Sequence, residues 1–164
     1  MSATIRDIND GEKTKIQTEP LTNYNIFVLD QALKGRSFVT FTNTNVMRNG
    51  TGDDANVSGL DFSLYDKNNT YNLRGYGHYS KVFADSSYDG YNTQLRFAKV
   101  SGKFRYSIQN TIRSEGYDPT DMGYLQTANQ VLNTVSLSYN QFTPTRNFLN
   151  YSYSLNFNYN TIYR

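Results

Sequence analysis

The sequence predicts an all-β fold, an antiparallel up-and-down meander of eight to ten strands, and three observations carry that expectation. Apolar and polar residues alternate with period two along eight segments, which places successive side chains on opposite faces of a strand. No segment of length carries apolar residues at helical spacing. The 164 residues include 15 Tyr and 10 Phe, too many aromatic rings in too regular an order for a chain that stays disordered in water. The length corresponds to one domain at most.

The alternating runs fall at 22–31, 37–46, 57–66, 70–82, 90–100, 104–114, 130–141 and 149–160. Asp10-Gly11, a tight-turn dipeptide between Ile-containing arms, adds an N-terminal hairpin. The last run shows the pattern most clearly. Leu149, Tyr151, Tyr153, Leu155, Phe157 and Tyr159 fall on one face, and asparagines and serines occupy every position between them. In 104–114, Phe104, Tyr106, Ile108 and Ile112 stand against Arg105, Ser107, Gln109, Thr111 and Arg113. Hairpin register follows from matching like faces. A turn at Asn68-Asn69 sets Leu64 against Leu73 and lays the Phe62 ring over Gly75. The same turn sets Asp61 against Tyr76, with Arg74 and His78 diagonal to it. A two-residue turn at Ser101-Gly102 would set Phe97 opposite Tyr106 and Leu95 opposite Ile108.

Strand length and connection length point to a specific kind of meander. The strands run to about 10 to 13 residues, against about 5 to 6 in soluble sheets and near the length a tilted strand needs to cross a bilayer. Short turns at 31–37, 66–70, 100–103 and 141–147 are expected to alternate with long loops at 46–57, 82–90 and 114–130, as in a transmembrane barrel. The loops carry seven of the 14 acids, and the short turns hold Lys34, Arg36, Lys67, Lys103 and Arg146. The expectation is therefore an outer-membrane β-barrel or a segment of one, covering residues 1–164 and located in the cell outer membrane. The alternative is a soluble all-β carbohydrate-binding module that stacks sugars on exposed tyrosines.

Composition excludes several function classes. With no Cys there is no thiolate metal site, disulfide scaffold or cysteine nucleophile. A net charge of +2 spread along the chain gives no nucleic-acid footprint. The one histidine, His78, reads as a polar-face residue rather than a metal ligand. No catalytic residue, metal or cofactor is expected. The polar face instead carries Asp61, Arg74, His78, Arg96, Arg105 and Arg113, candidates to line a lumen, because an arginine facing lipid would cost about 2 to 4 kcal/mol near the midplane. An open channel with that wall would favour anionic or hydroxyl-rich solutes. In the loop after residue 114, Tyr117, Asp118, Asp121 and Tyr124 combine rings with carboxylates. They suit either sugar recognition or a loop folded back on its own sheet.

Several runs carry a family resemblance. Glu19-Pro20-Leu21-Thr22-Asn23-Tyr24-Asn25, Val28-Leu29-Asp30-Gln31, Asn43-Thr44-Asn45-Val46-Met47-Arg48, Asp54-Ala55-Asn56-Val57-Ser58-Gly59 and Tyr117-Asp118-Pro119-Thr120-Asp121-Met122-Gly123-Tyr124-Leu125 resemble the C-terminal barrel of large outer-membrane proteins of Bacteroidota-type bacteria. In that family a signal peptide and a sandwich similar to carbohydrate-binding family nine precede a barrel domain of unknown function. The resemblance covers most of the chain, which lacks the signal, the sandwich and many barrel strands and so resembles an internal barrel segment. It implies a pore or a membrane anchor for an extracytoplasmic carbohydrate-binding module. The partners it implies are outer-membrane lipid, the remainder of a larger barrel and a glycan. It supplies no catalytic residues.

Overall fold

The computed structural model describes residues 2–6, 13–17, 21–50, 52–119 and 128–163. Two strands, β1 (Ser2–Arg6) and β2 (Lys13–Gln17), form the N-terminal hairpin expected from the sequence; its turn lies outside the described residues. The rest is one antiparallel sheet of eight strands: β3 (Leu21–Ala32), β4 (Phe38–Asn49), β5 (Asp54–Tyr65), β6 (Tyr71–Phe83), β7 (Tyr88–Lys99), β8 (Phe104–Arg113), β9 (Gln130–Gln141) and β10 (Tyr151–Thr161). Their spatial order is their chain order, an up-and-down meander. The sheet is open, with β3 and β10 as its edges.

The strands are long, at 10 to 13 residues, but the expected alternation of short and long connections is absent. Four residues separate β4 from β5 and four separate β6 from β7, no more than the turns at the opposite end. The polar residues flanking Ala55 and those near Asp89 read as loop, yet their backbones pair: Val46 faces Ala55, and Lys81 faces Asp89. The Arg48 amide donates to the Asp54 carboxylate at 2.7 Å and tightens the first of these turns. The connection at 114–129 stays long, and at the other end 142–150 is the next longest.

Register is as expected at β5–β6, where Phe62 faces Gly75, Leu64 faces Leu73 and Asp61 faces Tyr76. A β-carbon on Gly75 would sit 2.8 Å from the tip of the Phe62 ring, so the ring occupies the space a side chain would take. At β7–β8 the pairing differs from expectation. Phe97 faces Ile108 and Leu95 faces Asn110, a slip of two residues, because the connection is longer than a two-residue turn. Gly102 takes the left-handed conformation there (φ +84°), and Arg105 Nε donates to its carbonyl at 3.0 Å. A slip of two leaves every side chain on its original face.

Burial is the reverse of a soluble sheet. Val46, Ala55, Ser63, Asn72, Ser80, Val82, Asn92, Ala98, Ser107 and Thr111 are buried, and the pairing places all of them on one face, the one rich in Asn, Ser, Thr and Arg. On the other face stand most of the exposed large apolar residues, Leu95 at 54% and Phe157 at 57% among them, and the edge strand β3 departs from this division with Tyr24, Ile26 and Val28 exposed on the polar side. The buried hydrophobic cluster on the sheltered face, Val46, Ala55 and Val82 with Ala84 against it, is small. Hydrophobic burial within the sheet is thus slight, and the continuous backbone ladder supplies most of the order.

Candidate functional site: the sheltered polar face

Cross-strand pairing assigns Asp61, Arg74, His78, Arg96, Arg105 and Arg113 to this one face. They do not form one cluster. Arg74 and Arg96 are directly opposite, and Gln109 continues their row on β8. Arg105 and Arg113 lie four residues from Gln109 in opposite directions along β8, roughly 13 Å each way at strand rise.

Near the end of the sheet that carries the 114–129 connection, His78 Nε2 lies 3.2 Å from Asp61 Oδ2. The Tyr76 ring stacks on the imidazole at 4.6 Å between centroids, with the planes 15° apart. Gly59 faces His78 across the ladder. A β-carbon there would fall 2.7 Å from His78 Cδ2, so the imidazole occupies the space a side chain would take. Asp61, His78 and Gly59 line a cavity of about 280 Å³ with Thr42, Thr44 and Val57, and Pro119 contributes to its wall. Among the described residues no group of three His, Asp or Glu side chains is placed to hold a metal ion.

Pro119 reaches that cavity because the chain after β8 turns back over the sheltered face. Ser114 anchors the turn: its hydroxyl accepts from the Tyr91 amide at 2.8 Å, and its own amide donates to the Tyr91 carbonyl at 2.9 Å. The backbone then crosses β7 at Gly90, where a β-carbon would collide with the Tyr117 amide, and a β-carbon on Gly116 would collide with the Asp89 carbonyl oxygen. Glycine inside a strand pattern often marks such a backbone approach, and the Asp89-Gly90 step carries that signal in the sequence. Beyond the crossing, the Asp118 amide donates to Ser80 Oγ at 3.0 Å, and its carboxylate accepts from the Tyr88 hydroxyl at 2.9 Å. Tyr117 is 5% exposed. Burial holds its phenol pKa above the usual tyrosine range, against the pull of a hydrogen bond with Asn92. Two of the four loop-binding candidates, Tyr117 and Asp118, are thus engaged with the chain's own sheet. Asp121 and Tyr124 lie outside the described residues.

The turns at the opposite end carry Arg36, Lys67, Lys103 and Arg146, and the carboxylate of Asp66. Asp66 accepts from the amides of Thr70 at 2.6 Å, Tyr71 at 2.7 Å and Asn68 at 3.3 Å. These bonds, that of Tyr71 foremost, hold its carboxyl below the usual aspartate range. Sequence reasoning placed Arg36 in a turn and did not connect it with the polar face. Its guanidinium lies 4.9 Å over the Tyr65 ring, and it shares a cavity with Arg74 and Arg96.

The model of one family, described as a domain of unknown function (DUF5916), matches residues 1–164. The chain belongs to that family. No curated protein and no solved structure matches it. In this DUF5916 chain the polar groups gather on one sheltered face of an open meander, crossed by a short inward-folded segment.

Proposed function

We propose that this sheet is part of the wall of an outer-membrane β-barrel that serves as a pore or as the membrane anchor of an extracytoplasmic carbohydrate-binding module. The observation that carries the reading is the inverted burial: in a sheet of eight strands of 10 to 13 residues, the middle strands β4 to β8 present an apolar face outward and shelter a polar one. In water such a face would leave Leu, Phe, Ile and Tyr side chains exposed across the whole sheet, far beyond the patch a soluble monomer tolerates. Against acyl chains the same face is in its proper solvent, and the arginines on the polar face avoid lipid. The barrel and its carbohydrate-binding neighbour rest on the resemblance of the quoted sequence runs.

The open edges give the proposal a partner. Backbone groups along the outer edges of β3 and β10 lack a neighbouring strand within the sheet, which is costly in hydrocarbon. Further strands of a larger barrel complete them in this reading. The test exploits the absence of tryptophan from the chain. With single probes in liposomes containing brominated lipid, Leu95→Trp should be strongly quenched and Ser107→Trp should not. A parent chain that stays monodisperse and monomeric in detergent-free buffer and unfolds cooperatively would reject the membrane reading.

A further inference from the structure

Like charges directly opposite on adjacent strands repel and are normally avoided, yet Arg74 on β6 faces Arg96 on β7 on the sheltered side. Among the described residues no carboxylate lies within 4.0 Å of either guanidinium. The pair opens onto a cavity of about 340 Å³ lined also by Arg36, Ser63, Tyr65 and Asn72. A second cavity of about 250 Å³ adjoins it through Arg96 and Val100 and adds Lys99 and Arg105. No aspartate or glutamate lines either space. The carboxylate of Asp66, in the turn that leads into β6, is occupied by three turn amides.

The surroundings are ordered before any ligand arrives. Asn72 is buried, and its amide donates to Ser63 Oγ at 2.9 Å and to the Leu64 carbonyl at 3.2 Å. Arg36 is held over Tyr65, and Arg105 is held by its bond to Gly102 and by the Phe142 ring 5.4 Å away. Guanidinium groups present paired donors that match the spacing of oxyanion oxygens. An anion between two facing arginines also removes the repulsion that their register imposes.

We propose that the Arg74–Arg96 pair, flanked by Arg36 and Arg105, binds a multivalent oxyanion: a solute carrying phosphate, sulfate or several carboxylates. Arg113 is not part of the site, because it lies near Tyr117 at the other end of the face. The inference does not depend on what covers the apolar face.

The experiment titrates the whole 164-residue chain, folded in detergent micelles, with inorganic pyrophosphate, followed by calorimetry and by thermal unfolding. Pyrophosphate should bind the parent and raise its Tm. The double variant Arg74→Gln/Arg96→Gln should bind about tenfold more weakly or not at all, and without pyrophosphate it should unfold at a higher temperature than the parent. Arg36→Gln, in an exposed turn, should weaken binding without loss of the β-sheet circular dichroism signal. Repeating the titration in micelles doped with phosphatidylglycerol identifies the source of the anion. An unchanged affinity assigns the site to a soluble anion, and a competitive loss assigns it to a headgroup phosphate. No binding by the parent, equal binding by the double variant, or a lower Tm of that variant without pyrophosphate would overturn the proposal, the last because it would mean that the arginines are paired within the chain.

Discussion

The Tyr117 amide rests against Gly90 so closely that no other residue fits at that position of β7: a β-carbon would overlap the Tyr117 nitrogen and the Gly116 carbonyl carbon. This contact is the pivot on which residues 114–119 cross the polar face. Gly90→Ala should therefore lift the segment, at a cost of about 1 to 3 kcal/mol typical of overpacking. Hydrogen exchange at the Asp118 amide, which donates to Ser80, should speed up in the variant while the β5–β6 ladder stays protected. Unaltered exchange at Asp118 would show that the crossing does not need the glycine.

Tyr117 itself should respond to alkali. Its phenol pKa is raised mainly by burial, so the folded chain resists an ionisation that the unfolded chain undergoes freely. Its contribution to stability is then complete below the ordinary tyrosine pKa and declines as pH rises from there through the folded value. Tyr117→Phe should flatten this part of the stability–pH curve. An identical alkaline decline in parent and variant would place the titrating group elsewhere.

Asp66 should act at the opposite end of the pH scale. Turn amides, that of Tyr71 first, lower its pKa, so its stabilisation is present above the ordinary aspartate value and is lost as pH falls through the folded value. Asp66→Asn should lower Tm at neutral pH and reduce the acid dependence of Tm. The turn should loosen locally, visible as faster exchange at the Thr70 and Tyr71 amides, both of which donate to the carboxylate.

Two leucines distinguish the faces. Leu95 is on the apolar face, and Leu132 is on the polar face between Thr111 and Asn160. In liposomes, Leu95→Arg should cost about 2 to 4 kcal/mol if it lies near the bilayer midplane. Leu132→Arg should cost roughly 1 kcal/mol or less. Denaturant titrations of the two variants in the same vesicles make the comparison, and equal losses would contradict a lipid-facing Leu95.

Much of this architecture was legible in the sequence because alternation is a local property. Phe62 over Gly75, and Asp61 opposite Tyr76, follow from one turn and the period of two. The β7–β8 register was off by two residues, and the arginines still kept their face, since parity survives an even slip. Connection lengths were misread for a related reason: Arg48, Asn49 and Asp54 have polar side chains, but their backbones still form strand. Polarity reports what a side chain meets, not whether the backbone pairs.

By itself, then, the sequence determined that the chain is a meander of long strands, where most of those strands run, and which side chains share a face. Each of these depends on residues close together along the chain. The cost of arginine in lipid already favoured a sheltered polar face, and tertiary structure decided it against a soluble sheet with an apolar core. Tertiary structure alone decided that Gly90 lets Tyr117 and Asp118 cross to Ser80, and that Arg36 joins the facing arginines 74 and 96. Shelter depends on how neighbouring strands of the sheet lie together. The other two contacts join residues 27 to 60 positions apart, and no local period encodes distances of that kind.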